Sequence, residues 1–249
     1  MTSPYFLIAD HASNHVPDDI DLGLDPALLN EHMAIDIGVA ELGALLCERL
    51  NCPGIFGPVS RLVIDLNREV DAPGLIPISS DGHIIPGNQP PFVSSEVETR
   101  QRQRPSTSLG TSGLRDARIA RFYDPYHAKI ARTIAEMRPR LLISLHSFTP
   151  SLKLKPEEAR PWEMGVLYNQ DDRAARIAIP ALAAAGVCVG DNLPYSGKVL
   201  NATMNRHGEG NGIPYLGLEV RQDLISDAAG VAHWADVLVP VIEGCVSPL

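Results

Sequence analysis

Cysteine is scarce and scattered in this chain of 249 residues: Cys47, Cys52, Cys188 and Cys245 form no C-x-x-C pair. Thiols in that pattern read as buried groups in a reducing compartment, not as a disulfide framework. The opening stretch, MTSPYFLIADHASN, has no basic n-region followed by a long apolar h-region. No run approaches the roughly 20 continuous apolar residues that span a bilayer, so the expectation is a cytoplasmic chain with no membrane partner. Positive charge is also short, 21 Lys and Arg against 30 Asp and Glu, for a formal net charge of −9. Such a balance argues against an extended nucleic-acid surface, which needs clustered basic residues. It also repels small anions at long range, so an acidic substrate must be caught by locally placed arginines or a metal. Neither G-x-S-x-G, G-x-x-x-x-G-K-[ST] nor a dinucleotide G-x-G-x-x-G occurs, which removes the serine nucleophile elbow and the usual nucleotide cradles.

What is present is ordinary globular material, 45% hydrophobic and 20% charged, at a length that buries a substantial core. Short apolar runs alternate with amphipathic stretches. Strands are expected at 5–9, 62–66, 141–145, 164–168 and 215–220, and near-continuous hydrophobicity marks them as covered on both sides. Helices are expected at 36–50, 125–137, 173–185 and 231–244, with Pro180 kinking or dividing the third. The pattern gives an α/β fold: one domain over 1–249 with a mixed, mostly parallel sheet and helices on both faces. Residues 70–114, rich in Pro, Gly, Ser and charge, read as a long irregular loop.

Polar residues gather where the apolar runs end: Asp10-His11 after the first, Asp65-Leu66-Asn67-Arg68 after the second, His146-Ser147 after the third, and Glu219 to Asp223 in the last. Open α/β sheets bind ligands at the carboxyl ends of their strands, so these segments can converge on one crevice. His11 and His146 are the metal-ligand candidates. A catalytic zinc takes three protein ligands and keeps a place for water. Asp36 is either the third ligand or a helix-start residue serving the dipole. His32, four residues earlier, is a reserve ligand; His127 and His207 could line the site. Glu219 on a buried strand is a natural general base, or else the partner of Arg221, two residues on and on the same strand face. Arg68 and Arg221 suit a two-point grip on a carboxylate, with Asn67 adding an amide; Arg61 either joins them or sits at the surface. Asp65 is suited to orienting neighbours, and Tyr195 either donates to the substrate or caps its loop.

The segments DHASNHVP, HMAIDIGVAELGALL, SRLVIDLNR, YDPYHAKI, LLISLHSFTP, RPWEMGVLYN, DNLPYSG and NRHGEGNGIPYLGLEVRQDLI, in that order, resemble the N-formylglutamate amidohydrolase family. That family is similar to the zinc carboxypeptidases and the succinylglutamate desuccinylase–aspartoacylase group. The resemblance implies a phosphorylase/hydrolase-like, zinc-carboxypeptidase-like fold, one zinc ion per chain, and hydrolysis of a small anionic N-acyl amino acid, N-formyl-L-glutamate. It puts His11 and His146 at zinc ligands, Asn67 and Arg68 at the pair that holds a substrate carboxylate, and Glu219 at the catalytic glutamate. One departure stands out. Carboxypeptidases carry a glutamate ligand three residues after the first histidine, where this chain has Asn14. A neutral amide is a poor zinc ligand, so Asp36 is expected to supply the carboxylate. Other readings are a hydrolase of a different N-acyl amino acid, and a metal- or amino-acid-binding protein without catalysis.

Overall fold

The computed structural model describes residues 3–89 and 111–247. Its strands in chain order are β1 (Tyr5–Ala9), β2 (Gly54–Phe56), β3 (Ser79–Ser80), β4 (His83–Ile84), β5 (Leu141–Phe148), β6 (Met164–Leu167), β7 (Val189–Asp191) and β8 (Tyr215–Arg221). Six form one sheet in the order β2-β1-β5-β8-β6-β7, parallel throughout except where β6 meets β8. β5 is buried along its whole length and β8 up to its last residue, which explains why their sequences are apolar without alternation.

Both faces of the sheet are covered. On one lie α1 (Val39–Arg49), α4 (Ala175–Ala184) and α6 (Ala228–Val246). Their buried residues form one core with Leu141, Ile143 and Leu145, alternate positions of β5 that share this face. The opposite face carries α3 (Asp124–Met137), through Ile130 and Ile134, and the buried residues Leu62, Val63, Ile64 and Leu66. α2 (Thr111–Arg118) leads into α3 through a π turn at Ile119–Tyr123, and α5 (Ala202–His207) precedes β8. α6 is long and apolar enough to cross a membrane by length and composition, yet Trp234, Leu238, Ile242 and Cys245 are buried in the core, which accounts for its apolar character.

Several expectations need correction. The run at 62–66 is no strand: Val63 N–H turns back to Ser60 O at 2.9 Å, and Asp65 N–H reaches Leu75 O at 2.7 Å. Its apolar residues are buried in irregular chain beneath the sheet, a case that hydrophobicity without a period cannot separate from a strand. Pro180 lies inside α4 without dividing it. Of the irregular segment expected at 70–114, residues 90–110 lie outside the described residues; the part before them holds the β3–β4 hairpin, and α2 starts at Thr111. All four cysteines are free, but Cys188 is exposed and Cys47 only half-buried.

Candidate active site

The carboxyl ends of β1, β5 and β8 lie side by side, and the polar residues meet there. His146 on β5 is the register partner of Glu219 on β8, and His11 stands two residues beyond the end of β1. Asp36 arrives from the segment before α1. It does not cap that helix; the N-cap is Gly38, at φ +77°, where an added Cβ would come within 2.1 Å of Ile225 O. A glycine is therefore required for the chain to turn from Asp36 into α1. The Asp36 backbone N–H donates to His11 O at 3.0 Å, which ties the two segments together.

His11, Asp36 and His146 are buried, and each offers one ligand atom, all within 4.8 Å of one another. Asp36 Oδ2 lies 2.8 Å from His146 Nδ1 and 3.4 Å from His11 Nδ1. Ligands about 2.0–2.2 Å from a tetrahedral zinc stand about 3.3–3.6 Å apart, so small adjustments suffice. The outer edges of both rings face further carboxylates. His11 Nε2 is 2.7 Å from Asp65 Oδ1, and His146 Nε2 is 3.5 Å from Asp10 Oδ2. A proton on each Nε2 leaves each Nδ1 lone pair for a cation, the usual carboxylate–histidine–metal arrangement. His11 Nδ1 is a buried atom without a hydrogen-bond partner among the described residues. The donor set and this orphaned nitrogen fit a divalent cation.

Charge in the site points the same way. Asp10, Asp36, Asp65 and Glu219 are all buried, and Arg61 bridges two of them, Nη1 to Asp36 Oδ1 at 3.1 Å and Nη2 to Asp65 Oδ2 at 3.2 Å. Burial, the largest single effect, would raise the Asp36 and Asp65 carboxyls. The charges and hydrogen bonds of His11 and Arg61 together, with His146 at Asp36 and Arg68 at Asp65, outweigh it and hold both well below the usual carboxylate range. Burial opposes a proton on His146, yet hydrogen bonds to Asp10 and Asp36 raise its pKa well above the ordinary imidazole value. The carboxylates thus draw positive charge onto the rings. Glu219 goes the other way: burial, with Asp36 adding and His146 opposing, pushes it up to about 7. Its Oε2 is buried without a hydrogen-bond partner among the described residues.

A cavity of about 180 Å³ opens onto these groups, its walls including Asn67, Arg68, Phe148, Thr149, Tyr195 and Leu200. Asn67 is partly committed, its Oδ1 accepting from Thr203 N–H at 2.9 Å. Arg68 is engaged through Nε with Asp65 Oδ2 at 3.3 Å, which leaves its terminal fork for an anion. Arg221 does not join the cavity wall. Its guanidinium bonds Asp223 at two points, 2.8 and 3.2 Å, and donates to Trp162 O, so the carboxylate two residues on has captured it. Nor does it pair with Glu219. His32 lines the cavity but faces Asp81 Oδ2 at 3.4 Å, outside the trio, and Asn14 donates to Asn30 Oδ1 at 2.9 Å.

The N-formylglutamate amidohydrolase model matches residues 3–226. The chain belongs to that family. Among solved structures, gene product Atu2144 from Agrobacterium tumefaciens is similar at a TM-score of 0.86 and 27% identity, covering 99% of this chain and 91% of that one. N-formylglutamate amidohydrolase from Ralstonia eutropha JMP134 shares the fold at a TM-score of 0.65 and 17% identity, covering 96% of this chain and 91% of that one. No curated protein matches the chain.

In this N-formylglutamate amidohydrolase family member, Asp10 is a site residue that sequence reasoning does not single out. It is fully buried, and its Oδ1 accepts from Tyr126 Oη and Thr203 Oγ1, both at 2.9 Å. Its place beside His11 at a strand end is the available signal. His127 and His207 lie behind the site and not on the cavity wall. His127 Nε2–H donates to Leu66 O at 3.0 Å, so its Nδ1 accepts from His207 Nε2–H at 2.9 Å, and both rings are neutral. Burial, then the neighbouring His127, lowers His207 to about 4. An unfolded chain takes up this proton near pH 6.5, so His207 subtracts stability as pH falls from about 6.5 to about 4 and nothing further below. His11 and His146 shift in the opposite direction, so the comparison is with His207→Gln. The expected result is a steeper loss of unfolding free energy in the parent than in the variant across that window, measured by urea titration at each pH. Parallel curves would exclude the neutral pair.

Proposed function

We propose that this chain hydrolyses the amide bond of a small N-acyl amino acid, N-formyl-L-glutamate foremost, with a zinc ion held by His11, Asp36 and His146. The observation that carries the reading is the buried convergence of His11 Nδ1, Asp36 Oδ2 and His146 Nδ1 beside Glu219, on a chain of the N-formylglutamate amidohydrolase family. When bound, zinc supplies a Lewis acid for the acyl carbonyl and makes a water molecule acidic near neutral pH. Glu219, buried and near neutrality in its titration, takes the proton of the attacking water and passes it to the leaving amine nitrogen. Arg68 grips the substrate carboxylate with its terminal fork, and the Asn67 amide assists. Asp65 and Asp10 keep the two rings turned so that Nδ1 faces inward.

Support against a non-catalytic binding role comes from Asp36. The carboxylate missing at Asn14 has a counterpart at the ring nitrogens, and the general base is kept. A panel of N-formyl, N-acetyl and N-succinyl amino acids, with free amine and acid released as the readout, tests the reaction and the acyl preference. Zinc at one per chain with no turnover on any member of the panel would refute the hydrolase. Asp65→Asn should weaken zinc binding by about 10–100-fold, as expected when an outer carboxylate that orients a histidine ligand is neutralised. Competition with a chromogenic chelator measures it; unchanged affinity would remove Asp65 from this role.

A further inference from the structure

Arg160 sits in the loop between β5 and β6 and is only 6% exposed. Its Nη1 donates to Thr149 O at 3.2 Å and to Tyr195 Oη at 3.1 Å, and its guanidinium carbon lies 5.1 Å from the centroid of the Tyr195 ring. Nε is buried with no hydrogen-bond partner among the described residues. Among the described residues, the carboxylate within reach is that of Glu158, 3.8 Å from Nη2 and itself 44% exposed. Arg61, by comparison, has two buried carboxylates at 3.1 and 3.2 Å. A buried cation with one distant, half-solvated counter-ion is costly unless it is used.

The unbalanced charge lies directly behind Thr149 and Tyr195, and both line the cavity at the metal trio. A guanidinium has donors and no acceptor, so Tyr195 Oη accepts from Arg160 and keeps its own proton to give elsewhere. Resting on the amide-hydrolysis reading, we propose that Arg160 is a positioning residue that acts through Tyr195 to hold a second carboxylate of the substrate, and so selects N-acyl acidic amino acids over their uncharged counterparts. Arg68 takes the α-carboxylate, and the Tyr195 hydroxyl, backed by Arg160, takes the side-chain carboxylate. A chain with a net charge of −9 needs such local cations to hold a dianion.

The test compares L-glutamate with L-glutamine, which differ by one charge at nearly equal size, by calorimetric binding to the zinc-loaded protein. The expected result is a preference of about tenfold or more for glutamate, reduced to about threefold or less in both Arg160→Met and Tyr195→Phe. The double variant should lose no more than either single one, because the two act as a unit. A preference that survives Arg160→Met, or equal affinities in the parent, overturns the proposal. Arg160→Gln, which keeps a donor for Thr149 O, guards against a folding defect and should lose the preference equally. Binding does not depend on turnover: a parent that prefers glutamate yet cleaves no N-acyl amino acid would refute the hydrolase and leave the acidic subsite standing. The KM ratio for N-formyl-L-glutamate and N-formyl-L-glutamine should follow the binding ratio.

Discussion

Glu219→Gln is expected to lower kcat for N-formyl-L-glutamate by about 10²–10⁴, the range that a positioned general base contributes. Glutamine keeps the size and the hydrogen-bonding capacity of the side chain but cannot accept a proton at neutral pH. Zinc content should remain at one per chain, because Glu219 stands beside the trio without belonging to it. Stability should not fall. A carboxyl lifted to about 7 by burial is a group whose charged form the fold disfavours, and a neutral amide removes that cost. Folded, metal-loaded protein with little turnover is therefore the expected outcome, measured by elemental analysis, thermal unfolding and formate release together. Full activity in this variant would reject Glu219 as the base.

Much of this site is legible in the sequence because of where the polar residues fall. His11, His146 and Glu219 each follow or end an apolar run, and in a sheet of parallel strands such ends must lie together. Near-continuous hydrophobicity places β1, β5, β6 and β8 themselves. It fails at residues 62–66, where continuous burial comes from packing under the sheet and not from pairing. β2 and β7, three residues each, are too short to show a period. Arg221 shares a strand face with Glu219, but no rule of alternation can tell that Asp223 takes its guanidinium first. Arg160 and Tyr195 are 35 residues apart and meet only through the fold, so the segment RPWEMGVLYN carries the family resemblance without disclosing what its first residue does.

Asp36 bears the heaviest weight in the proposed ligand set, since its Oδ2 faces both ring nitrogens while Arg61 holds its Oδ1. Asp36→Asn should cost more in zinc affinity than the roughly 10–100-fold assigned to an outer carboxylate, and turnover should fall with occupancy. Removal of zinc from the parent by a chelator should abolish hydrolysis, and returning zinc should restore it. The folded state should register the ion as well. At free zinc about 1,000 times its Kd, a site present only in the folded chain adds about 4 kcal/mol, or roughly 10 °C in Tm for a chain of this size. Zinc should leave the Tm of Asp36→Asn nearly unmoved, because the buried carboxylate that balances the ion is gone while both imidazoles stay. If that variant keeps both the zinc-dependent rise and the activity, the ion is held elsewhere, and the pairing of Asp36 with His11 and His146 is a buried ion-pair network alone.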